Sequence, residues 1–277
     1  MAWARRIGIL LFAAGICTTR PHSQEIRVDD VLNAAAEYLQ RYERAISGVV
    51  AEESYAQGAP GLGARTLRSD VLFLGDEALG WIEFRDVFSV DGQTVRDRQQ
   101  RVLDLFANAA PDRLEQARRI VAEGARFNLA SGRGRFERTL NLPLTALRFL
   151  RAREQRRSTF TLASRTNSVV ELRFQEHERP RLIQTPSESP ASGWFRVEPA
   201  TGRVIASRLE LTVKEPRGVF TVATFSVTFA DDAKTGLLLP KTMNEGYRGA
   251  ITMTGRAEYS NFRQFRVQTN TDVGIPK

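Results

Sequence analysis

"RVIASRLELTVKEPRGVFTVATFSVTFA", residues 203–230, alternates with a period of two. Arg208, Glu210 and Thr212 interleave with Leu209, Leu211 and Val213. Val219, Thr221, Ala223, Phe225, Val227 and Phe229 form a second, mostly apolar row. A strand turns successive side chains to opposite faces, so this pattern marks antiparallel sheet with one face buried. The pattern extends both ways. From about Ser158 the chain reads "STFTLAS", "SVVELRFQ", "RLIQT" and "GWFRVEP" before this stretch, then "LLLPKTMNEGY" and "AITMTGRAEYSNFRQFRV" after it, with turn residues between. "EPATG" (198–202) is a tight turn.

The N-terminal half repeats the theme. "GVVAEESYAQ" (48–57), "TLRSDVLFL" (66–74) and "LGWIEFRDVFSV" (79–90) read as strands, and Asp91-Gly92 is a hairpin turn because glycine accepts positive φ. One amphipathic helix precedes them, with Leu32, Ala35, Ala36, Leu39, Tyr42 and Ile46 on one face, Asp29 or Asp30 as its cap and Gly48 at its end. Between the two sets of strands lie helical segments at 101–109, 112–129 and 143–153, with Pro111 and Pro143 at the starts of the last two. No linker or internal repeat divides the chain. The expected fold is α+β: a single strongly curved antiparallel sheet, half-barrel-like, of about eleven strands, with helices packed on one face. A sheet that long curls or partly closes. The domain runs from 25 to 277, with a helical insertion at about 101–153.

The first 24 residues stand apart. Arg5 and Arg6 precede "IGILLFAAGI" (7–16), a signal-peptide pattern too short to anchor in a bilayer. The protein is expected to be exported, to periplasm or exterior. Cys17, the only cysteine, suggests a lipid anchor, but Ile16 before it is larger than such a site takes, and ordinary cleavage is the expectation. The net charge of +8 becomes 8 − 3 = +5 without Arg5, Arg6 and Arg20. The densest basic run, "RFLRAREQRR", carries Arg148, Arg151, Arg153, Arg156 and Arg157. An exported chain would turn this to an anionic membrane or polysaccharide rather than to nucleic acid, and a solvated helix end is the plainer reading.

Chemistry-bearing motifs are missing. There is no G-x-S-x-G, H-E-x-x-H or phosphate loop, and no cofactor or metal is expected. Without the first 24 residues, which hold His22 and Cys17, His177 in "EHERP" has no second histidine or cysteine to share a metal. Glu52 and Glu53 are adjacent and face opposite sides of a strand. Asp70, Glu83 and Asp86 could converge from neighbouring strands, which leaves a hydrolase as a third reading, tested at Asp86 or Glu53. "WIEFRDVFSVDGQTVRDRQQR" (81–101) holds the densest charge. Ile82, Phe84, Asp86, Phe88 and Val90 share one face of it, opposite Trp81, Glu83, Arg85 and Val87. Asp86 therefore lies in an apolar row and needs a cation, and the turn brings Arg96 and Arg98 back to it as a structural ion pair. If that pair is buried, Asp86→Ala is expected to cost about 3–5 kcal/mol.

The order of elements resembles the periplasmic lipoprotein-carrier and lipoprotein-sorting (LolA/LolB-like) superfamily. Its best local match is "GWFRVEPATGRVIASRLEL" (193–211), a strand with Trp194 and Phe195, a turn with Pro199 and Gly202, and a returning strand. The chain also resembles uncharacterised secreted proteins of environmental bacteria through "FRDVFSVDG" and "TVRDRQQR". The carrier resemblance implies an open half-barrel whose concave apolar face accepts acyl chains, with Trp81, Phe84, Phe88, Trp194 and Phe195 as wall residues. It points to a non-enzymatic envelope protein binding a lipid or lipidated protein between sheet and helices. The alternative is an envelope protein–protein interaction or sensory module without a small ligand.

Overall fold

The computed structural model describes residues 26–76, 80–129, 139–166, 168–185, 187–214, 220–249 and 252–264. The expected signal segment at 1–24, with Cys17, lies outside the described residues, as do the expected 130–135 loop and Val219. Helix α1 (Val28–Ile46) leads into strands β1 (Val49–Ala59), β2 (Gly63–Asp76), β3 (Gly80–Val90) and the two-residue β4 (Gln93–Thr94). Helices α2 (Arg98–Ala107) and α3 (Arg113–Ala125) follow, then a 3₁₀ segment (Thr145–Leu150) and the short α4 (Ala152–Gln155). A meander follows: β5 (Ser158–Arg165), β6 (Val170–Glu176), β7 (Ala191–Val197), β8 (Val204–Lys214), β9 (Phe220–Asp231), β10 (Leu238–Arg248) and β11 (Met253–Gln264).

The eleven strands among the described residues form one open sheet in the order β4-β3-β2-β1-β11-β10-β9-β8-β7-β6-β5, antiparallel throughout. The sheet is therefore two meanders joined where the last strand pairs with the first. "RLIQT" is not among the strands. Residues 181–185 form a loop whose Ile183 plugs the core, and β4 makes up the number.

The curvature follows from one short segment. The Leu144 amide reaches Glu83 on β3, and five residues on the Phe149 ring lies 4.7 Å from that of Phe174 on β6. A 3₁₀ segment of that length spans about 10 Å. Strands β3 and β6 stand eight places apart in the sheet, roughly 38 Å if it were flat. The sheet must bend around the segment that touches both. Within the bend lie α1, through Val31, Leu39 and Ile46, and the 3₁₀ segment, through Leu147, Phe149 and Leu150.

Local chemistry explains most boundaries. Asp112 caps α3, accepting from the Leu114 and Glu115 amides. Asp29 and Asp30 do not cap α1; they occupy its first turn, where a negative charge meets the positive end of the helix dipole. The expected helix at 143–153 is instead 3₁₀ followed by α4. Ala146/Phe149 and Leu147/Leu150 are all buried and spaced by three, the period at which a 3₁₀ helix aligns side chains. Asp91 and Gly92 both take positive φ, 50° and 80°, as a two-residue hairpin turn demands.

The turn between β7 and β8 does more than reverse the chain. Gly202, at φ 72°, lies against α1, and a Cβ there would sit 2.0 Å from the Ala34 carbonyl oxygen. Neither backbone can yield. Gly202→Ala is expected to destabilise the fold by about 2–3 kcal/mol, read as a lowered urea midpoint. An unchanged midpoint would mean that α1 does not dock on this turn.

Candidate functional site

Two regions could carry function: the polar interior of the bend and the free edges of the sheet. In the interior, Glu53 of β1 and Arg85 of β3 are 0% and 2% exposed. Arg85 donates from Nε and Nη2 to the two Glu53 oxygens at 2.6 and 2.9 Å. Its Nη2 also donates to the Asn141 carbonyl oxygen at 2.7 Å, and its guanidinium lies 5.0 Å from the centre of the Tyr55 ring. Burial opposes the charge, but the Glu53 carboxylate outweighs it and raises the pKa of Arg85. Asn141 Nδ2 donates to the Tyr55 hydroxyl at 2.9 Å. Tyr55 in turn donates to Glu245 on β10, as does Tyr247 at 3.1 Å. Gly255 stands opposite Glu245 on β11, and any side chain there would collide with the carboxylate.

Glu83 lies beside this network. The Leu144 amide donates to its two oxygens at 3.2 and 3.3 Å. Burial pushes its pKa up to about 8; the Leu144 amide, the Arg85 charge and the Trp81 side chain hold it from rising further, while the Glu53 charge adds to the rise. These groups tie β3, β1 and β10 to the segment at 141–144. They present each buried carboxylate to internal donors rather than to solvent.

The face of β3 that turns inward is therefore the opposite of the one its hydrophobicity suggests. Trp81, Glu83, Arg85 and Val87 face the concave interior. Ile82, Phe84, Asp86 and Phe88 face the convex side, where Phe84 packs with Leu105 of α2 and Ile120 of α3. This corrects the set of wall residues. Trp81 and Phe195 lie in the main core, with Phe195 stacked on Phe174 at 5.1 Å. Phe84, Phe88 and Trp194 lie on the other face; Arg98 sits over Phe88 and Arg196 over Trp194. The five cannot line one cavity, because strand alternation sends them to opposite sides.

Asp86 accepts from Arg98 Nε at 2.7 Å, and Arg98 Nη2 donates to Asp70 at 2.9 Å. Arg96 is exposed and joins no ion pair among the described residues. The Arg98 side chain is 37% exposed, so the pair is not the buried clasp that would cost several kcal/mol to break. Asp86→Ala is expected to cost only about 1 kcal/mol, since Arg98 keeps Asp70 and the solvent. A loss above 3 kcal/mol in urea unfolding would contradict this. Glu52, on the convex side, is held by Asn261 and then Arg68, and these bonds, that from Asn261 foremost, lower its pKa.

The basic run is also divided. Arg151 is buried against Glu43 and the Trp81 ring. Arg153 and Arg157 share Glu154. Arg148 is half-buried, and burial lowers its pKa. Arg156 alone of the five is exposed and, among the described residues, without a carboxylate. The run is thus no continuous basic surface: the short helical turns at 145–155 send successive arginines to different sides. Among the described residues, no three metal-ligating side chains cluster, and no helix is long and apolar enough to cross a membrane. His177 is exposed.

The two sheet edges differ. On β3, Gly124 of α3 brings the helix against the Arg85 backbone, where a Cβ would lie 3.2–3.4 Å from Arg85 atoms. Arg101 of α2 donates to the outward Val87 carbonyl oxygen at 3.4 Å and pairs with Glu123 of α3. The α2–α3 hairpin and β4 thus cover this edge. On β5, the Arg157 carbonyl accepts from the His177 amide at 2.9 Å. Antiparallel alternation from that pair turns the amides and carbonyls of Phe160 and Leu162 outward. No partner within the described residues meets them. The strand up to Ser164, "STFTLAS", carries no charge. Sequence reasoning did not single out this edge, because edge position depends on strand order, not on composition.

No family model matches the chain, and no curated protein does. Two solved chains are similar. One is titled the complex structure of Pseudomonas aeruginosa MucA/MucB, at 10% identity and a TM-score of 0.21, covering 84% of this chain and 99% of the other. The second is MucB in complex with MucA(peri), at 11% identity, the same TM-score and the same coverage. At that TM-score neither likeness decides the fold or a partner.

Proposed function

We propose that this is an exported, non-enzymatic protein-interaction module whose binding surface is the free edge of β5. The carrying observation is the contrast between the two edges. Natural sheets protect exposed edges with charges, bulges or covering elements, since an uncovered edge recruits other strands. Here one edge has a dedicated helical hairpin, and the other offers a strand that is uncharged from Ser158 to Ser164, with only a single bulge beyond Leu162. A binding edge must stay bare, as strand addition requires.

The carrier reading lacks such support. The concave face it needs is occupied by Leu129, Leu144, Leu147, Phe149 and Leu150 together with α1. The hydrolase reading needs a carboxylate pair open to substrate, whereas Glu53 is chelated by Arg85, and Asp70 and Asp86 share Arg98.

Photo-crosslinking in an exporting host tests the proposal. A benzophenone residue at Thr161, exposed on β5, is expected to yield discrete protein adducts. The same residue at Thr254, exposed in mid-sheet on β11, is expected to yield none. Equal labelling at both, or a stoichiometric extractable lipid on the purified protein without adducts, would overturn it.

A further inference from the structure

The β5 edge has charge at its ends as well as a bare middle. Arg156, the C-cap of α4, stands two residues before the strand, and Arg165 closes it. Both are exposed, and among the described residues neither meets a carboxylate. Their neighbours differ: Arg157 is held by Glu154 and the Pro180 carbonyl, and Arg173 on the adjacent strand has Glu171. The edge therefore presents outward hydrogen-bonding groups at Phe160 and Leu162, flanked at each end by a spare guanidinium.

We infer that the partner is an extended protein segment that adds to β5 as a twelfth strand and carries carboxylates at both ends, about eight or nine residues apart. Main-chain pairing supplies the affinity, and the end charges choose the partner. A segment with acidic ends meets both guanidinium groups, in either strand direction. Arginine suits the role because its planar fork can take a carboxylate through two bonds.

This inference rests on reading β5 as the binding edge, so the test separates the two. The probes are three labelled nine-residue peptides of alternating threonine and valine, ending in glutamate, threonine or lysine at both ends. Fluorescence anisotropy measures their binding to the full mature protein. The glutamate-ended peptide is expected to bind about ten-fold tighter than the threonine-ended one, from two exposed charge pairs, and to lose that advantage in high salt. The lysine-ended peptide is expected to be weakest. In the Arg156→Glu/Arg165→Glu double variant, whose changes are both on exposed positions, the order is expected to reverse. Leu162→Pro, which removes an outward amide, is expected to weaken all three. Equal binding of the three peptides to the parent would overturn the acidic-end inference and leave the edge reading standing. Binding of none, or binding unaffected by Leu162→Pro in a folded variant, would overturn both. A concentration-dependent dimer whose formation Leu162→Pro abolishes would also overturn the inference, by putting a second copy on the edge.

Discussion

Arg85→Ala is expected to cost about 3–5 kcal/mol, among the largest effects of any single substitution in this chain. Arg85 is 2% exposed, and its removal leaves the Glu53 carboxylate buried without its cation. It also strips a donor from Asn141, whose amide supports Tyr55 and through it Glu245. The loss therefore spreads from β3 to β10. Urea unfolding of the variant measures it. A double variant, Glu53→Leu/Arg85→Met, is expected to be markedly less destabilised than Arg85→Ala, because it removes both charges and fills the space with apolar atoms. If the double variant were as unstable as the single one, the charge pair would not be the reason for the loss. A cost below 1 kcal/mol for Arg85→Ala would show that the pair is solvated in the folded protein.

The second large effect is a dependence on pH through Glu83. Its folded-state pKa is raised from 4.5 to about 8, chiefly by burial. The unfolded chain releases this proton near pH 4.5, while the folded chain keeps it until about pH 8. Over that interval the folded state binds more protons, so stability falls as pH rises. The contribution is whole below the lower value, is lost progressively between the two, and is flat above the higher one. The difference is on the order of 5 kcal/mol. Glu83→Gln keeps an acceptor for the Leu144 amide and abolishes the titration. Urea midpoints at pH 5 and pH 8.5 are expected to drop for the parent and to drop much less for the variant. Parallel lines for the two proteins would mean that Glu83 is ionised in the folded state at neutral pH. The charged groups around it include Arg85, which favours the anion, and Glu53, which opposes it.

Much of the fold was legible because its causes are local. The period of two in 203–230 marks strands whose apolar rows are buried, from Thr221 to Phe229 on β9 and at Leu209 and Leu211 on β8. The Asp91-Gly92 hairpin follows from the ease with which those residues take positive φ. The amphipathic face of α1 from Leu32 to Ile46 is the face that packs in the core. The segment Thr145–Leu150 has the sequence pattern of an α-helix, because buried residues three apart fit both periods over so short a run.

The candidate site was less legible. On β3, hydrophobicity favours burial of Ile82, Phe84 and Phe88 and exposure of Glu83 and Arg85. Register decides otherwise. Arg85 pairs with Val71 of β2, and Val71 with Ala51 of β1, whose side chains already face the interior. Once inside, Arg85 meets Glu53, 32 residues away, and Asn141, 56 residues away. No local pattern encodes those meetings. Phe84 is buried as well, since α2 and α3 fold over the convex side. Strands, turns and the amphipathic helix are local properties, because alternation, positive φ and helical periodicity act over a few residues. Strand order and contacts between distant parts of the chain settle which face of β3 is the interior, which charges pair there and which edge meets no partner among the described residues, and none of these is a local property.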